Sequence, residues 1–153
     1  TGLRKDGTAF PAVASVAKLQ LEGETVFVVA LRDRQVLLAS PCPQCGRVFV
    51  PPRSFCEDCF VHTDHNWLEV GPAGRVEAFA ITYAAFPGYP EPPHAIAYVQ
   101  PDGASTAIAN FVKGVDLSDP QAAASALAIG TRLRAVFQTK REARVTDFHW
   151  EPI

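Results

Sequence analysis

CPQCGRVFVPPRSFCEDC, residues 42–59, holds all four cysteines of the chain as two C-x-x-C knuckles separated by ten residues. Two intervening residues allow both thiolates of a knuckle to face one ion, and Gly46 follows the first knuckle, where a positive φ is often required. Four thiolates close a tetrahedron around zinc at about 2.3 Å and leave no position open for a substrate. The segment therefore predicts one structural zinc ion bound by Cys42, Cys45, Cys56 and Cys59.

The cysteine pattern alone leaves two alternatives to zinc open. Cys-Pro-x-Cys-Gly also occurs in iron sites of the rubredoxin type, and four cysteines can instead form two disulfides or remain free thiols. Their clustering favours a metal site in a reducing compartment over a spread disulfide framework, so we expect a cytoplasmic protein. His62 and His65 lie close enough to offer nitrogen ligands, but four thiolates make them unnecessary.

The bulk composition is that of a soluble globular protein. The chain has 153 residues, 48% of them hydrophobic and 20% charged, which fits one domain or one domain with a small module. A formal net charge of -2 argues against a nucleic-acid scaffold and against a polybasic membrane anchor. The apolar runs are far shorter than the ~20 residues of a membrane span, and no signal peptide opens the chain. The first residue is Thr, which fits a trimmed start or a piece of a longer chain.

The segments around the cysteines divide the chain into three parts. Residues 1–40 are predicted to form an N-terminal helical or irregular arm, in which 26–38 hold a helix followed by a short strand leading into the cysteines. Residues 41–64 form the zinc ribbon, and residues 65–153 a β domain.

The β domain shows a succession of strand patterns rich in β-branched and aromatic residues. Strands are predicted at 67–70, 75–85, 95–100, 105–112, 131–139 and 144–150, with Pro101-Asp102-Gly103 as a tight turn. Asp119 or Ser118 caps a short helix over 116–127, which Gly130 ends. About five antiparallel strands with one helix before the fourth long strand predict a mainly β fold, a five-stranded OB-fold barrel. A small sandwich is the alternative.

Candidate binding residues outside the ribbon surround a proline-rich loop at 86–93. Tyr83, Phe86, Tyr89 and Tyr98 flank this loop and either line an apolar pocket or form barrel core with a hairpin lid. His94 follows the loop and either contacts a ligand or is an ordinary loop histidine.

Three arginines, Arg47, Arg53 and Arg75, either form a local positive patch for phosphates or are isolated surface residues. The sequence contains no G-x-S-x-G, P-loop or G-x-G-x-x-G motif and no defensible nucleophile–base–acid set. We therefore expect no self-contained active site.

The order of these motifs resembles a known family. Its pattern begins with Cys42-x-x-Cys45-Gly46-x-x-x-x-Pro51-Pro52-Arg53-x-x-Cys56-x-x-Cys59. It continues with Trp67-Leu68-Glu69-Val70, Gly74-Arg75-Val76, Thr82-Tyr83, Phe86-Pro87-Gly88, Pro92-Pro93, Asp102-Gly103, Gly130-Thr131-Arg132-Leu133 and Asp147-Phe148. The chain resembles, over about 31–153, the zinc-ribbon plus OB-fold proteins associated with acyl-CoA metabolism, long described only as a domain of unknown function.

The resemblance implies an architecture and a role. Members of the family combine a helical N-terminal arm, a rubredoxin-like zinc ribbon and an OB barrel, and they are partners of thiolase-superfamily enzymes in hetero-oligomers, including steroid side-chain aldolases. It therefore implies an accessory subunit that binds or guides acyl-CoA and supports assembly. Acyl-CoA contacts are expected at Arg53, Tyr83, Phe86, Tyr89 and His94. The alternative is a nucleic-acid-binding ribbon and barrel, which the net charge disfavours.

Overall fold

The computed structural model describes residues 36–63, 66–139 and 144–153, together with four short strands nearer the N-terminus. In this N-terminal part, β1 (Gly2–Leu3) pairs with β2 (Ala9–Phe10), and β3 (Leu19–Leu21) pairs with β4 (Glu24–Val26), both antiparallel. The described residues of the predicted arm are thus extended. The helix expected after residue 26 falls on 27–35, which lie outside the described residues.

A small sheet carries the cysteine segment. It consists of β5 (Leu37–Pro41) between β6 (Val48–Phe49) and β7 (Leu68–Val70), all antiparallel. The strand expected to lead into the cysteines is confirmed as β5. Because β5 covers residues on both sides of position 40, the arm and the ribbon share one strand, and the three-part division of the chain stays a prediction.

The β domain is a closed five-stranded barrel. Its strands are β8 (Ala73–Thr82), β9 (His94–Pro101), β10 (Ile108–Val112), β11 (Arg132–Phe137) and β12 (Phe148–Pro152). The order around the barrel is β8-β9-β10-β12-β11, with β10 parallel to β12 and every other pair antiparallel. This Greek-key connectivity is that of an OB barrel, so the prediction is confirmed and the sandwich alternative is wrong.

One short helix connects β10 to β11, as expected. Helix α1 (Pro120–Ala126) begins at Asp119, whose carboxylate accepts hydrogen bonds from the backbone N–H groups of Gln121 and Ala122. Pro120 occupies its first turn, where no N–H donor is needed. Within the described residues, no helix combines the length and the apolar character that crossing a bilayer requires.

The ribbon sheet and the barrel share one apolar core. Trp150, Leu133 and Val99 are fully buried in the barrel, and Leu37 and Val50 from the ribbon side join the same cluster. Apolar burial contributes about 25 cal/mol per Å², so this shared cluster is the main source of attachment.

Hydrogen bonds reinforce the junction at the β9–β10 turn. The backbone N–H of Ser105 donates to the Val48 carbonyl at 2.7 Å, and the Val50 N–H donates to Thr106 Oγ1 at 2.8 Å. The ribbon is therefore fixed at the end of the barrel where β9 leads into β10.

Candidate functional site

The two knuckles have the same backbone geometry. Gly46 N–H donates to the Cys42 carbonyl at 3.0 Å, and Phe60 N–H donates to the Cys56 carbonyl at 2.9 Å. The residue after each knuckle is left-handed, Gly46 at φ 73° and Phe60 at φ 55°. The expected positive φ at Gly46 is confirmed, but its counterpart is a phenylalanine, 82% exposed.

The four sulfur atoms lie in one cluster. All four Sγ atoms are within 4.8 Å of one another, and Cys45 Sγ is 3.7 Å from Cys56 Sγ. Sulfurs at about 2.3 Å from a tetrahedral zinc are separated by about 3.8 Å, whereas a disulfide brings them to about 2.05 Å. All four cysteines belong to the described residues and all are free. The cluster is able to bind a structural zinc ion, and the disulfide alternative is wrong.

Backbone donors prepare the cluster for negative charge. The N–H groups of Gln44 and Cys45 each donate to Cys42 Sγ at 3.4 Å. Desolvation raises the pKa of the Cys42 thiol, but these donors together with the neighbouring thiols outweigh it and lower the pKa to about 6. The Cys42 thiol therefore ionises more readily than an ordinary cysteine.

The pKa values of two other thiols, Cys45 and Cys59, are raised. Desolvation and hydrogen bonds to the other three cysteines raise the pKa of Cys59 to about 12, and the Cys42 thiolate adds repulsion. The pKa of Cys45 is also raised: hydrogen bonds to the Arg47 backbone and to Cys59 lower it, but desolvation and the hydrogen bonds with Cys42 and Cys56 outweigh them. Four thiolates at this spacing require a compensating cation, which fits the chemistry of a zinc site.

The arginines of the ribbon are engaged by acidic residues. Arg47 donates to Glu57 at 2.9 Å and also to Asp58, so it ties the first knuckle to the second. Arg53 donates to Glu57 at 2.7 Å. Both guanidinium groups lie 5.1 Å from the ring centre of the buried Phe49. The charge of Arg47 and Arg53 is thus partly neutralised, whereas the phosphate-binding patch considered from the sequence assumed arginines without acidic partners.

One of the two histidines after the cysteines packs on an aromatic side chain of the ribbon. The ring of His62 packs against Phe55 with centroids 4.1 Å apart. His62 lies outside the four-sulfur cluster, as expected, and His65 lies outside the described residues.

The aromatic residues of the β8–β9 loop are at the surface. Tyr83, Phe86 and Tyr89 are 46%, 58% and 61% exposed, so they do not belong to the barrel core. His94, the first residue of β9, is buried; its ring stacks on Tyr89 at 6.1 Å and meets the edge of Phe111 at 5.8 Å. The loop thus presents an aromatic surface that continues into the barrel wall.

Two cavities lie beside this aromatic loop. One, of about 550 Å³, is lined by Tyr83, Pro93, Leu117 and neighbouring residues of the β10–α1 segment. The other, of about 400 Å³, is lined by Pro93 and Leu117 as well and extends to His94 and His149. Both are open to solvent over much of their boundary, so each can hold part of a ligand but does not enclose it. The shared lining makes them neighbouring parts of one end of the barrel.

The structure brings four of the five candidate acyl-CoA contacts to this end, and Arg53 to the other. Tyr83, Phe86, Tyr89 and His94 surround the loop, whereas Arg53 lies in the ribbon, which is fixed at the opposite end of β9. Eight residues of β9 span roughly 25 Å at ~3.3 Å per residue. These five residues do not form a single cluster.

Sequence reasoning missed several residues that complete the cavity wall. The smaller cavity is also lined by Phe111, Lys113 and Gln138. Phe111 points outward from β10, where a solvated strand would carry a polar residue. An apolar residue at an outward position of the strand was therefore the sequence signal that could have identified Phe111 as a lining residue.

The fold and the cysteine cluster define a class of protein, a zinc ribbon attached to an OB barrel. The family profile described as "ChsH2, rubredoxin-like zinc ribbon domain" matches residues 30–65, and the profile described as "ChsH2, C-terminal OB-fold domain" matches residues 67–138. Together they cover more than half of the chain, in the same order as the two structural units. The chain belongs to this ChsH2 family, and the predicted resemblance is confirmed.

Two solved structures share the fold. A Sulfolobus solfataricus protein of unknown function from the DUF35 family has a TM-score of 0.55 and 22% identity, with 77% of this chain and 76% of that chain covered. The Ltp2-ChsH2(DUF35) aldolase has a TM-score of 0.55 and 18% identity, with 76% and 84% covered. At these identities the likeness shows the architecture alone.

Proposed function

We propose that this chain is an accessory subunit or domain of a thiolase-superfamily complex, of thiolase, acyltransferase or steroid side-chain aldolase type. The observation that carries the proposal is the family match: residues 30–65 and 67–138 match the two ChsH2 domains, and a ChsH2(DUF35) chain of the same fold occurs in an aldolase with Ltp2. The resemblance of the sequence motifs supports the same partner class. The bond chemistry is assigned to the partner, and this chain contributes docking and guidance.

The aromatic end of the barrel is the proposed acyl-CoA contact. Exposed Tyr83, Phe86 and Tyr89 offer rings to an acyl chain or a pantetheine arm, and the two cavities beside them can accept a buried portion. His94, held between Tyr89 and Phe111, provides a fixed wall.

Arg53 is the proposed phosphate contact at the ribbon. Its guanidinium is bound to Glu57, so a phosphate has to compete with that carboxylate. A phosphate carries a larger negative charge than a carboxylate and accepts the same donors, which favours the exchange.

The zinc ribbon is proposed to be a structural support for assembly. Four thiolates would fill the coordination sphere of the ion, so its role is to hold residues 42–59 in one conformation. We also propose a cytoplasmic location, since the clustered thiols require a reducing environment to remain metal ligands. The division of the chain into arm, ribbon and β domain at residues 40 and 64 is a further part of the proposal.

Ligand binding by matched variants tests the acyl-CoA role. The double variant Phe86→Ala/Tyr89→Ala is compared with Ile129→Ala, which truncates another exposed apolar side chain in the turn between α1 and β11. With a non-hydrolysable thioether analogue of a medium-chain acyl-CoA, calorimetry should show affinity about tenfold weaker for the double variant and unchanged for the control. Equal affinity in all three proteins would refute the contact.

A salt-dependent gel shift separates this function from nucleic-acid binding. The ribbon arginines are engaged by acidic residues and the net charge is -2, so no retardation of single-stranded DNA is expected at ~0.15 M salt. Salt-dependent retardation that Arg53→Gln abolishes would contradict the acyl-CoA proposal and favour the nucleic-acid alternative.

A further inference from the structure

The middle of the outward side of strands β8, β9 and β10 carries two adjacent rows of apolar side chains and Tyr98, bordered on β8 by the exposed Arg75 and Glu77. Register places Ala78, Tyr98 and Ala109 in one row across the three strands, and Ala80, Ile96 and Phe111 in the next row. The inward positions of β9 are Ala95, Ala97 and Val99, all fully buried, so these two rows are on the opposite face. We call Ala78, Ala80, Ile96, Tyr98, Ala109 and Phe111 the apolar face.

The other outer wall of the same barrel is charged. The outward positions of β11 include Arg132 and Arg134, and those of β12 are His149 and Glu151. His149 Nε2 lies 2.9 Å from a Glu151 carboxylate oxygen across this surface. An antiparallel sheet with one solvated side normally has polar residues on that side. Strands β11 and β12 follow this rule, and the apolar face violates it over three adjacent strands.

Exposure makes this violation significant. Ala78 and Ala80 are exposed and Tyr98 is 53% exposed, while Ile96, Ala109 and Phe111 are partly exposed. A contiguous exposed apolar patch that is rimmed by polar residues is typical of sites of protein association when it is large. The three alanine side chains are short, so a second protein surface can approach the strands closely. Tyrosine, as at Tyr98, is enriched among the residues that anchor interfaces.

The absence of charged side chains on the apolar face restricts which kind of partner can bind there. None of its six side chains is charged, and the exposed Arg75 and Glu77 at its border carry opposite charges, so the region offers no net positive charge to nucleic-acid phosphates. Its complement is an uncharged, apolar protein surface. The face is also continuous with the aromatic loop, since Phe111 contacts His94 and His94 stacks on Tyr89. A protein seated on it would border the loop proposed to contact acyl-CoA.

We propose that the apolar face is the docking surface for the thiolase-superfamily partner, which meets it with an uncharged apolar surface of its own. This inference rests on the proposed function and specifies where the partner sits. Docking there places the partner beside Tyr89 and Phe86, so that an acyl group leaving the loop passes to the partner without crossing open solvent.

Charge introduced on this face tests the inference. Ala80→Glu and Tyr98→Lys place opposite charges on the two rows. Ala122→Glu is the matched control, because it makes the same exchange at an exposed position of α1, on another part of the surface. The thiolase-superfamily protein that co-purifies with the tagged wild-type chain from its own host is identified, expressed alone, and titrated against the four zinc-loaded full chains by analytical ultracentrifugation. Zinc content and far-ultraviolet circular dichroism report the fold of each chain.

The expected result is a Kd at least about tenfold higher for both face variants and unchanged for Ala122→Glu. Loss in both variants despite opposite charges indicates burial of the face rather than a single ion pair. If all chains bind the partner equally, the face is not the docking surface although the proposed function stands. Should the wild-type chain bind no thiolase-superfamily protein, both proposals fail. Self-association of the wild type that the face variants abolish would make a second copy the occupant and overturn the inference.

Discussion

The ribbon and the barrel are stabilised in different ways. In the ribbon, the apolar cluster consists of Cys42, Phe49 and Cys56, with Cys59 and Val61 packed against it, so most of its members are the sulfur ligands themselves. In the barrel, a far larger cluster of aliphatic and aromatic side chains surrounds Leu133 and Trp150. A core as small as that of the ribbon cannot offset the conformational entropy of its loops, which is of order 1–2 kcal/mol per residue. The ribbon therefore needs the metal, and the barrel does not.

The boundary between the two modes of stabilisation lies within a few residues. Val50 follows β6 directly and belongs to the barrel cluster, and β5 and β7 contribute Leu37 and Val70 to it. Metal loss should therefore affect the two knuckle segments, while the sheet strands on the barrel side remain ordered.

Metal removal has the largest expected effect. A zinc chelator, or the substitution Cys45→Ser, should release the metal and disorder the knuckle segments 42–47 and 53–63, while β6, Val50 and the barrel stay folded, because binding energy at such sites is largely folding energy. Trypsin reports this directly, since Arg47 and Arg53 lie inside the ribbon. Cleavage at both should become at least about tenfold faster, and cleavage at Arg132 in the barrel should not change. A metal-free chain whose ribbon resists trypsin would contradict the contrast.

A methyl group at Gly74 tests the barrel side. A Cβ at Gly74 would lie 2.3 Å from the Gln100 carbonyl oxygen and 2.8 Å from the Pro101 Cα, both backbone atoms that cannot rotate away. Gly74 also pairs with Leu133 on its other side, so β8 cannot shift without opening the barrel. Gly74→Ala should lower the free energy of unfolding of the barrel by about 3 kcal/mol or more.

The matched control for this substitution is Gly71→Ala. A Cβ at Gly71 meets Asp102 Cβ at an ordinary 3.7 Å, and no positive φ is required there. Chemical denaturation followed by tryptophan fluorescence from Trp67 and Trp150 should show a lower midpoint for Gly74→Ala alone, with zinc retained in both variants. Equal midpoints would mean that β8 and β9 can separate at this position without loss of packing.

The cysteine cluster was predictable because its geometry is local. Two knuckles within 18 residues specify which side chains meet, with no need to know the rest of the fold. The barrel strands were also largely predictable from turn residues and β-rich runs. The last predicted strand began too early: residues Val145–Asp147 form a 3₁₀ turn, in which Asp147 accepts a hydrogen bond from the Arg144 N–H. A single polar side chain decided that local structure.

The exposed surfaces were not predictable in the same way. β9 carries Ala95, Ala97 and Val99 on one side and Ile96 and Tyr98 on the other, so both sides of the strand are apolar. Alternation identifies the buried side only when the other side is polar. The position of the aromatic loop relative to Arg53 likewise depends on which end of the barrel the ribbon occupies, a long-range contact that no local pattern encodes.

The two knuckles themselves provide a smaller test within the ribbon. Gly46→Ala should destabilise the ribbon by about 1 kcal/mol through backbone strain alone, because no atom lies within 4 Å of the added Cβ. Phe60→Gly should instead stabilise the ribbon, because it removes a left-handed non-glycine residue whose ring is 82% exposed. Competition with a chromogenic chelator measures zinc affinity in each. Weaker binding in both variants would mean that the Phe60 ring, although exposed, supports its knuckle.

The smallest expected effect concerns an ion pair on the barrel surface. Arg132 donates to both carboxylate oxygens of Asp102, at 2.6 and 2.5 Å. This hydrogen bonding lowers the pKa of the Asp102 carboxyl, and the charges of Arg132 and Arg75 act in the same direction. A depressed pKa in the folded state contributes stability that is present above the unfolded value of about 3.9 and is lost as the pH falls through the folded value.

Asp102→Asn should therefore lower the Tm by only about a few degrees at pH 7, because exposed ion pairs contribute little. The Tm difference from wild type should shrink as the pH falls below about 4. Zinc loss at low pH affects both chains alike, so the difference isolates the carboxyl group. Arg132 and Asp102 join the charged wall of the barrel to the β9–β10 turn. A Tm difference between Asp102→Asn and wild type that does not change with pH would show that the Asp102 side chain acts through packing rather than through its charge.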